Sequence, residues 1–260
     1  EEFLPDAGRY AADRNFVRPG HPNISRLSPW VQKRLLLEEE VIAAARERWS
    51  FESVEKFVQE VYWRTYWKGW LEQRPEAWSR WVEAVPRLRD ALSAEQRSTL
   101  EAALAGRTGI AGFDDWAHEL VATGYLHNHA RMWFASILIF TLKLPWELGA
   151  AFFYEHLLDG DVASNTLSWR WVAGLQTTGK TYLVRRSNLE TYWPDAPGQG
   201  LNQLDGEPAI DIPPDTANRS RQEITEIVES PGDTPSGLLL HEEDLSLECG
   251  PLRCFRPEAV

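Results

Sequence analysis

The stretch from Thr123 to Trp171, TGYLHNHARMWFASILIFTLKLPWELGAAFFYEHLLDGDVASNTLSWRW, leaves this chain the least freedom. Its apolar runs read as two long helices and the start of a third. The first opens near His127 and the second at Pro145, where the N–H that proline lacks would find no helical partner anyway. A Leu-Asp-Gly-Asp turn starts the third, which carries Asp161, Asn165 and Trp169 at intervals of four and therefore on one face. Asn128, Arg131, Asp159, Asp161 and Asn165 are thereby set among aromatic side chains. Burying a neutral polar group without a partner costs roughly 2–7 kcal/mol, and a charge costs more. A polar, planar ligand would supply the partners, and the expectation is that these groups converge on one rather than on each other.

A second polar face lies in Phe51 to Leu71, FESVEKFVQEVYWRTYWKGWL, where Glu60, Trp63, Arg64 and Trp67 fall at i, i+3, i+4 and i+7. A carboxylate and a guanidinium beside two indoles make a poor core and a good site. Upstream, residues 1–30 lack sustained periodicity and read as an ordered loop. This loop holds Tyr10-Ala-Ala-Asp-Arg14-Asn-Phe and Ser25-Arg26-Leu27-Ser28-Pro29. Hydroxyls and an Arg ahead of a helix are what a pyrophosphate requires, because helix N-termini carry free N–H groups and a partial positive charge. Residues 29–48 predict one amphipathic helix with Leu35, Leu36, Val41 and Ile42 inward, and residues 73–105 predict helix broken at Pro75 and Pro86.

The 13 Trp among 260 residues fit either a Trp-rich helical core or indoles that stack on a chromophore and relay electrons. The net charge of −12 is unevenly spread. Of 39 acidic and 27 basic residues, 15 and 4 lie from Glu190 onward, which leaves 24 and 23 before it. A nearly neutral body can still present a basic face to phosphates, so the overall sign does not exclude nucleic acid. No run approaches the ~20 apolar residues of a membrane span, and no basic-then-apolar leader opens the chain. The expectation is a soluble, cytoplasmic protein of prokaryotic type. Met132 is the only methionine, so the expectation is that the ends are those of a trimmed chain or of an excised portion, with further domains outside it left open. Cys249 and Cys254 are too few for a cysteine-ligated iron–sulfur cluster and read as reduced thiols, the alternatives being a disulfide or a regulatory thiol pair. His127 and His129 have no further ligand at metal spacing, and helical residues two apart face different ways, so no metal is expected.

The segments GYLHNHARM, LPWELG and LLDGDVASNTLSWRW, preceded in order by SRLSP, EVYWR and GRTGIAGFDDWAHELVATGY, resemble the flavin-binding core of the DNA photolyase and cryptochrome family. The resemblance covers about the first three quarters of the chain. It implies an all-α FAD-binding domain over residues 1–190, without the α/β antenna domain that the family places before it, and an irregular acidic arm over 191–260. Tyr10, Ser25, Arg26, Leu27 and Ser28 match the segment that wraps the flavin diphosphate, and Arg64 an Arg near those phosphates. Arg131 and Asp159 match an Arg–Asp pair against the isoalloxazine, Asp161 a flavin hydrogen-bond acceptor, and Asn165 the residue beside N5. Glu60 and Asn128 complete the cofactor set.

Glu60, Trp63, Asn128, Met132, Asn165 and Trp171 match the residues that meet a flipped pyrimidine dimer and its flavin. Trp169 and Trp146 match two members of an electron relay, whose third is Trp78 or Trp81. Arg14, His129, Lys180, Arg185 and Arg186 are the candidate DNA contacts. The sequence departs from the family at Ile24, where many members have Thr, at Ala111 for Pro, at Tyr125 for Trp, and at His129 for Arg.

The implied activity is FAD-dependent, blue-light-driven repair of cyclobutane pyrimidine dimers in single- or double-stranded DNA. The alternatives are a cryptochrome-like light receptor without repair and a flavoprotein that has lost DNA contact. Asn165 and Met132 favour repair, because plant cryptochromes place Asp at the first position and six-four repair enzymes His at the second. The arm, with a short helix expected at Arg219 to Glu229 and an apolar patch at Leu238 to Leu240, is the candidate seat of a protein partner.

Overall fold

Glycine, proline and acidic residues divide this chain into short helices, and the long aromatic segments run on between them. The computed structural model describes residues 2–110, 112–177, 180–194 and 204, and among them there is no strand. A 3-10 turn at Leu4–Arg9 leads into α1 (Tyr10–Asp13), so the expected loop begins as helix. The turns that follow are held by the Asn23 amide, which donates to the carbonyls of Asp13 and Phe16 at 2.7 and 2.8 Å.

The single helix expected over 29–48 is two, α2 (Ser28–Gln32) and α3 (Glu38–Arg48). Arg34 takes a left-handed conformation, φ 53°, which breaks the helix. The acidic run Glu38–Glu40 restarts it, with the Glu40 carboxylate accepting from the Leu37 N–H at 2.8 Å. Leu35 consequently turns outward and is 41% exposed. The next element, α4 (Phe51–Glu72), is the longest helix among the described residues.

The break expected at Pro86 does not occur. α5 (Glu76–Ala91) runs through it, and the carbonyl that loses its partner belongs to Val82, an exposed residue. Helix α5 ends instead before Ser93, which with Gln96 forms a reciprocal cap on α6 (Ala94–Leu104). α7 (Phe113–Thr123) then leads into the central stretch.

There the sequence expectation and the structure agree closely. His127 caps α8 (Asn128–Ser136), which continues as a π turn at Ile137–Thr141. Pro145 precedes α9 (Trp146–His156), and Asp161 caps α10 (Val162–Val172), its carboxylate accepting from the Ser164 N–H at 2.6 Å. α11 (Arg186–Tyr192) closes the described chain and extends helix into the segment expected to be irregular. The Val17 N–H donates to the Tyr192 carbonyl at 2.7 Å, which ties that end back to the beginning.

α10 packs against both α4 and α9 and so joins two cores. The larger, built from α5 to α10, centres on Trp133, Phe134, Phe153 and Trp169, with Phe113 stacked on Phe134 at 4.1 Å. The smaller packs Ala7, Val31, Val41 and Ala45 against Val54, Phe57 and Val58 of α4. Among the described residues no helix is long and apolar enough to cross a membrane. Cys249, Cys254, the helix expected at Arg219 to Glu229 and the Leu238 to Leu240 patch lie outside the described residues.

Candidate functional site

Residues of α4, α8 and α10 line a cavity of about 690 Å³, joined by Tyr10 and Ser28 and by Gln176 and Thr177 after α10. This volume lies inside the roughly 300–1,000 Å³ range of small-molecule sites. Periodicity decides what faces it. On α4 the lining is Glu60, Trp63, Arg64 and Trp67, the face read from the sequence, widened by Tyr66 and Trp70. From α10 come Asn165 and Trp169, with Ser164 and Ser168 one position before each, and from α8 come Asn128, Arg131 and Met132.

The polar groups do pair with one another, contrary to the expectation that a ligand alone satisfies them. Arg131 grips Asp159 with two bonds, 3.0 and 3.3 Å, and its Nε donates to the Leu126 carbonyl at 2.9 Å. Burial alone would raise the Asp159 carboxyl, but Arg131, a bond from Ser28 and nearby Arg64 hold it below the usual carboxylate value. Arg64 donates to Asp161 at 2.7 Å, to Glu38 at 3.1 Å and to Gln32. Glu60 accepts from Arg14 at 2.8 Å and lies 3.0 Å from Lys56. Tyr125, a departure from the family wording, lies between the Arg26 and Arg131 guanidiniums, 5.4 and 5.5 Å from its ring centre. Burial pushes its hydroxyl up to about 12. Charge pairing thus removes the cost of placing these groups beside aromatics and still leaves the cavity open.

Asn165 shows what such fixing does. Its amide nitrogen donates to the Ala150 carbonyl at 2.9 Å, which sets the orientation of the carboxamide and leaves Oδ1 as its acceptor for a ligand. Behind it Trp169 stands edge-on to Phe153 at 5.1 Å and covers Gly149 of α9. Trp146 lies one turn before Gly149 and is buried. Trp81 donates to the Glu147 carbonyl at 3.2 Å and stacks on Trp78 at 4.8 Å. The two candidates for the third relay position are therefore one stacked pair.

Not every expected residue reaches the cavity. Ser28 and Tyr10 do, but Ser25, Arg26 and Leu27 are not in its lining. Arg26 instead sits at φ 54° over Tyr125. Arg14 is engaged by Glu60. His129 stacks on Tyr192 at 5.3 Å and packs against Trp133, and burial drives its imidazole down to about 4. His127, outside the helix as its cap, stacks on His129 at 6.0 Å, a proximity that helical spacing does not anticipate. Lys180, Arg185 and Arg186 are exposed outside the lining, and Arg186 pairs with Glu190 at 2.7 Å. Sequence reading missed Tyr66, Trp70, Ser164, Ser168, Gln176 and Thr177. The Tyr66–Trp70 and Ser164–Ser168 spacings of four were available as signals, whereas nothing local marks Gln176.

The residues present fit a flavin dinucleotide. The cavity has the size, an indole and aromatic lining for flat rings, an anchored carboxamide, and, in Arg64 and Ser28, a guanidinium and a hydroxyl that would suit phosphates. One buried polar atom of the lining, Gln176 Oε1, has no partner among the described residues.

Residues 57–195 match the family model described as the FAD binding domain of DNA photolyase. A deoxyribodipyrimidine photo-lyase of Streptomyces griseus is 36% identical over 156 residues, 59% of this chain and 32% of that protein. A cryptochrome DASH of Natronomonas pharaonis is 32% identical over 190 residues, 66% of this chain and 37% of its own length. Among solved structures, a bacterial class III photolyase from Agrobacterium tumefaciens superposes with a TM-score of 0.62 at 27% identity, covering 75% of this chain and 41% of that one. The chain spans about a third of the length of the curated relatives it matches.

Proposed function

The chain belongs to the DNA photolyase family and carries its FAD-binding domain, and from that premise we propose that it repairs cyclobutane pyrimidine dimers in DNA under blue light. The observation that carries the proposal is a coincidence of two residue sets in one cavity. Glu60, Trp63, Asn128, Met132 and Trp171 line the same space as Arg131, Asp159 and Asn165. A dimer needs flat apolar walls and hydrogen bonds to its edges once it leaves the stack. Reduced FAD, when bound, supplies the photoexcited electron that opens a cyclobutane ring and is then returned.

The chain's own part is positional. Trp63, 43% exposed, and Trp171 both line the cavity and offer the walls. Glu60 and Asn128 offer bonds to the base carbonyls and N–H groups. Glu60 is held by Arg14 and Lys56, so its carboxylate is placed before any substrate arrives. The carboxamide of Asn165 adds no charge beside the flavin ring, and the indoles behind it, Trp169 and Trp146, offer a route by which electrons reload the cofactor.

The test is photorepair of an oligonucleotide carrying one thymine dimer by the FAD-loaded, reduced protein. Recovery of the ultraviolet absorbance of intact thymines under blue light is the expected result. Trp63→Ala should weaken dimer binding by about 10-fold, toward the lower end of the 1–3 kcal/mol that stacking one base on an aromatic provides. The rival, a light receptor without repair, draws on the packing of His129 into the core and the engagement of Arg14, which remove two expected DNA contacts. Normal flavin photoreduction with no repair of single- or double-stranded dimers would decide for the receptor.

A further inference from the structure

Gln176 is the only residue of the cavity lining that also has a buried side-chain atom without a partner among the described residues. An unpaired buried amide oxygen costs about 1–3 kcal/mol, and exchanging the amide's oxygen and nitrogen leaves the same edge unmet. The loop that carries it is not slack. The Leu175 and Gln176 N–H groups donate to the Arg170 carbonyl at 2.9 and 3.3 Å, and the Tyr182 N–H to the Val172 carbonyl at 3.0 Å. Gly174, at φ 82°, lies so close to Thr181 that a Cβ there would meet its methyl at 2.8 Å. Trp171, in the last turn of α10 just before this loop, stacks on Tyr182 at 5.4 Å and lines the same cavity. The backbone at Leu175 and Gln176, anchored on Arg170, therefore holds beside an indole wall a carboxamide whose oxygen has no bond.

We propose that Gln176 is a specificity-determining residue that reads the pairing edge of one pyrimidine of the lesion, a role that rests on the repair reading above. A carboxamide is complementary to that edge. Its oxygen accepts from N3–H while its nitrogen donates to the neighbouring C4 or C2 carbonyl, two parallel bonds that only a base with a proton on N3 completes. Rotation about the last side-chain torsion, which is broad for an amide, turns the occluded oxygen toward the base.

Stability and binding then move in opposite directions, which a purely structural role would not produce. Gln176→Met, close in volume, removes an unmet polar atom and should raise the thermal midpoint by about 2–4 °C. In darkness the same variant should bind a thymine-dimer oligonucleotide about 10-fold more weakly. With N3 of each base methylated in turn, one of the two positions should cost the unsubstituted protein a similar factor and cost Gln176→Met nothing further, the other being the base whose edge meets Glu60 and Asn128. Gln176→Leu provides the same comparison if the Met variant does not accumulate. The inference is overturned if either variant binds the dimer as tightly as the unsubstituted protein, or if N3 methylation penalises variant and unsubstituted protein equally at both positions. If the unsubstituted protein does not distinguish dimer from intact DNA, the repair reading itself falls.

Discussion

Arg131 and Asp159 illustrate how a charge can sit among aromatics at little cost, since each is the other's partner and Ser28 supplies a further bond to the carboxylate. Asp159→Asn would leave the guanidinium without its counter-charge. Because a quarter of the Arg131 side chain still reaches solvent, we expect a loss of about 3 kcal/mol, the low end for breaking a buried pair, read by urea unfolding. The imidazoles behave oppositely. Burial lowers His127 to about 3 and His129 to about 4, so between those values and the usual ~6.5 the unfolded chain binds protons that the folded one refuses. Stability should therefore fall as pH drops below ~6.5, by up to ~1.4 kcal/mol per pH unit for each imidazole. Asp159 acts in a lower window, its contribution being lost only as pH falls through its depressed value. His129→Phe keeps the stack on Tyr192 and should flatten the fall between pH 6.5 and about 4; an unchanged slope in urea titrations would refute the assignment.

Among the helices, α9 and α10 pack tightly at Gly149, where an added Cβ would lie 2.3 and 2.6 Å from ring atoms of Trp169. Gly149→Ala gains helix propensity but must displace an indole that lines the cavity. A net loss of about 1–3 kcal/mol is expected, measured by thermal unfolding, with slower flavin photoreduction as the indole shifts. The starts of α8, α9 and α10 were legible in the sequence because cap residues and four-residue spacing are local signals. The division of 29–48 was not, because Leu35 and Leu36 fit helical periodicity while Arg34 occupies a left-handed conformation that non-glycine residues seldom announce. Pro86 misled in the other direction. Proline removes one donor, yet when the orphaned carbonyl lies on an exposed turn the packed face, here Ala77, Trp81 and Ala84, carries the helix through.

At the scale of the whole molecule, the cavity residues on α4, α8 and α10 could be read because each motif contributes several residues on one face. Gln176 and the engagement of Arg14 by Glu60 could not, since they depend on where distant segments meet. The same holds for DNA contact, where sequence offers charges without geometry. Residues 1–189 carry 24 acidic and 23 basic side chains, so any phosphate-binding face must be a local grouping of charges and not a property of the net charge. Lys180 and Arg185 are exposed close to the loop that presents Gln176, while Arg186 is drawn to Glu190 at 2.7 Å. Neutralising Lys180 or Arg185 should therefore reduce the slope of log affinity against log salt by about 0.9 on duplex DNA and about 0.7 on single strands. Arg186→Ala should change it less. Discrimination between damaged and intact oligonucleotides should stay constant in all three variants, because phosphate contacts carry no base information. Binding isotherms over a salt series test this directly, and equal slopes for the unsubstituted protein and the Lys180 and Arg185 variants would move the phosphate-binding surface away from this loop.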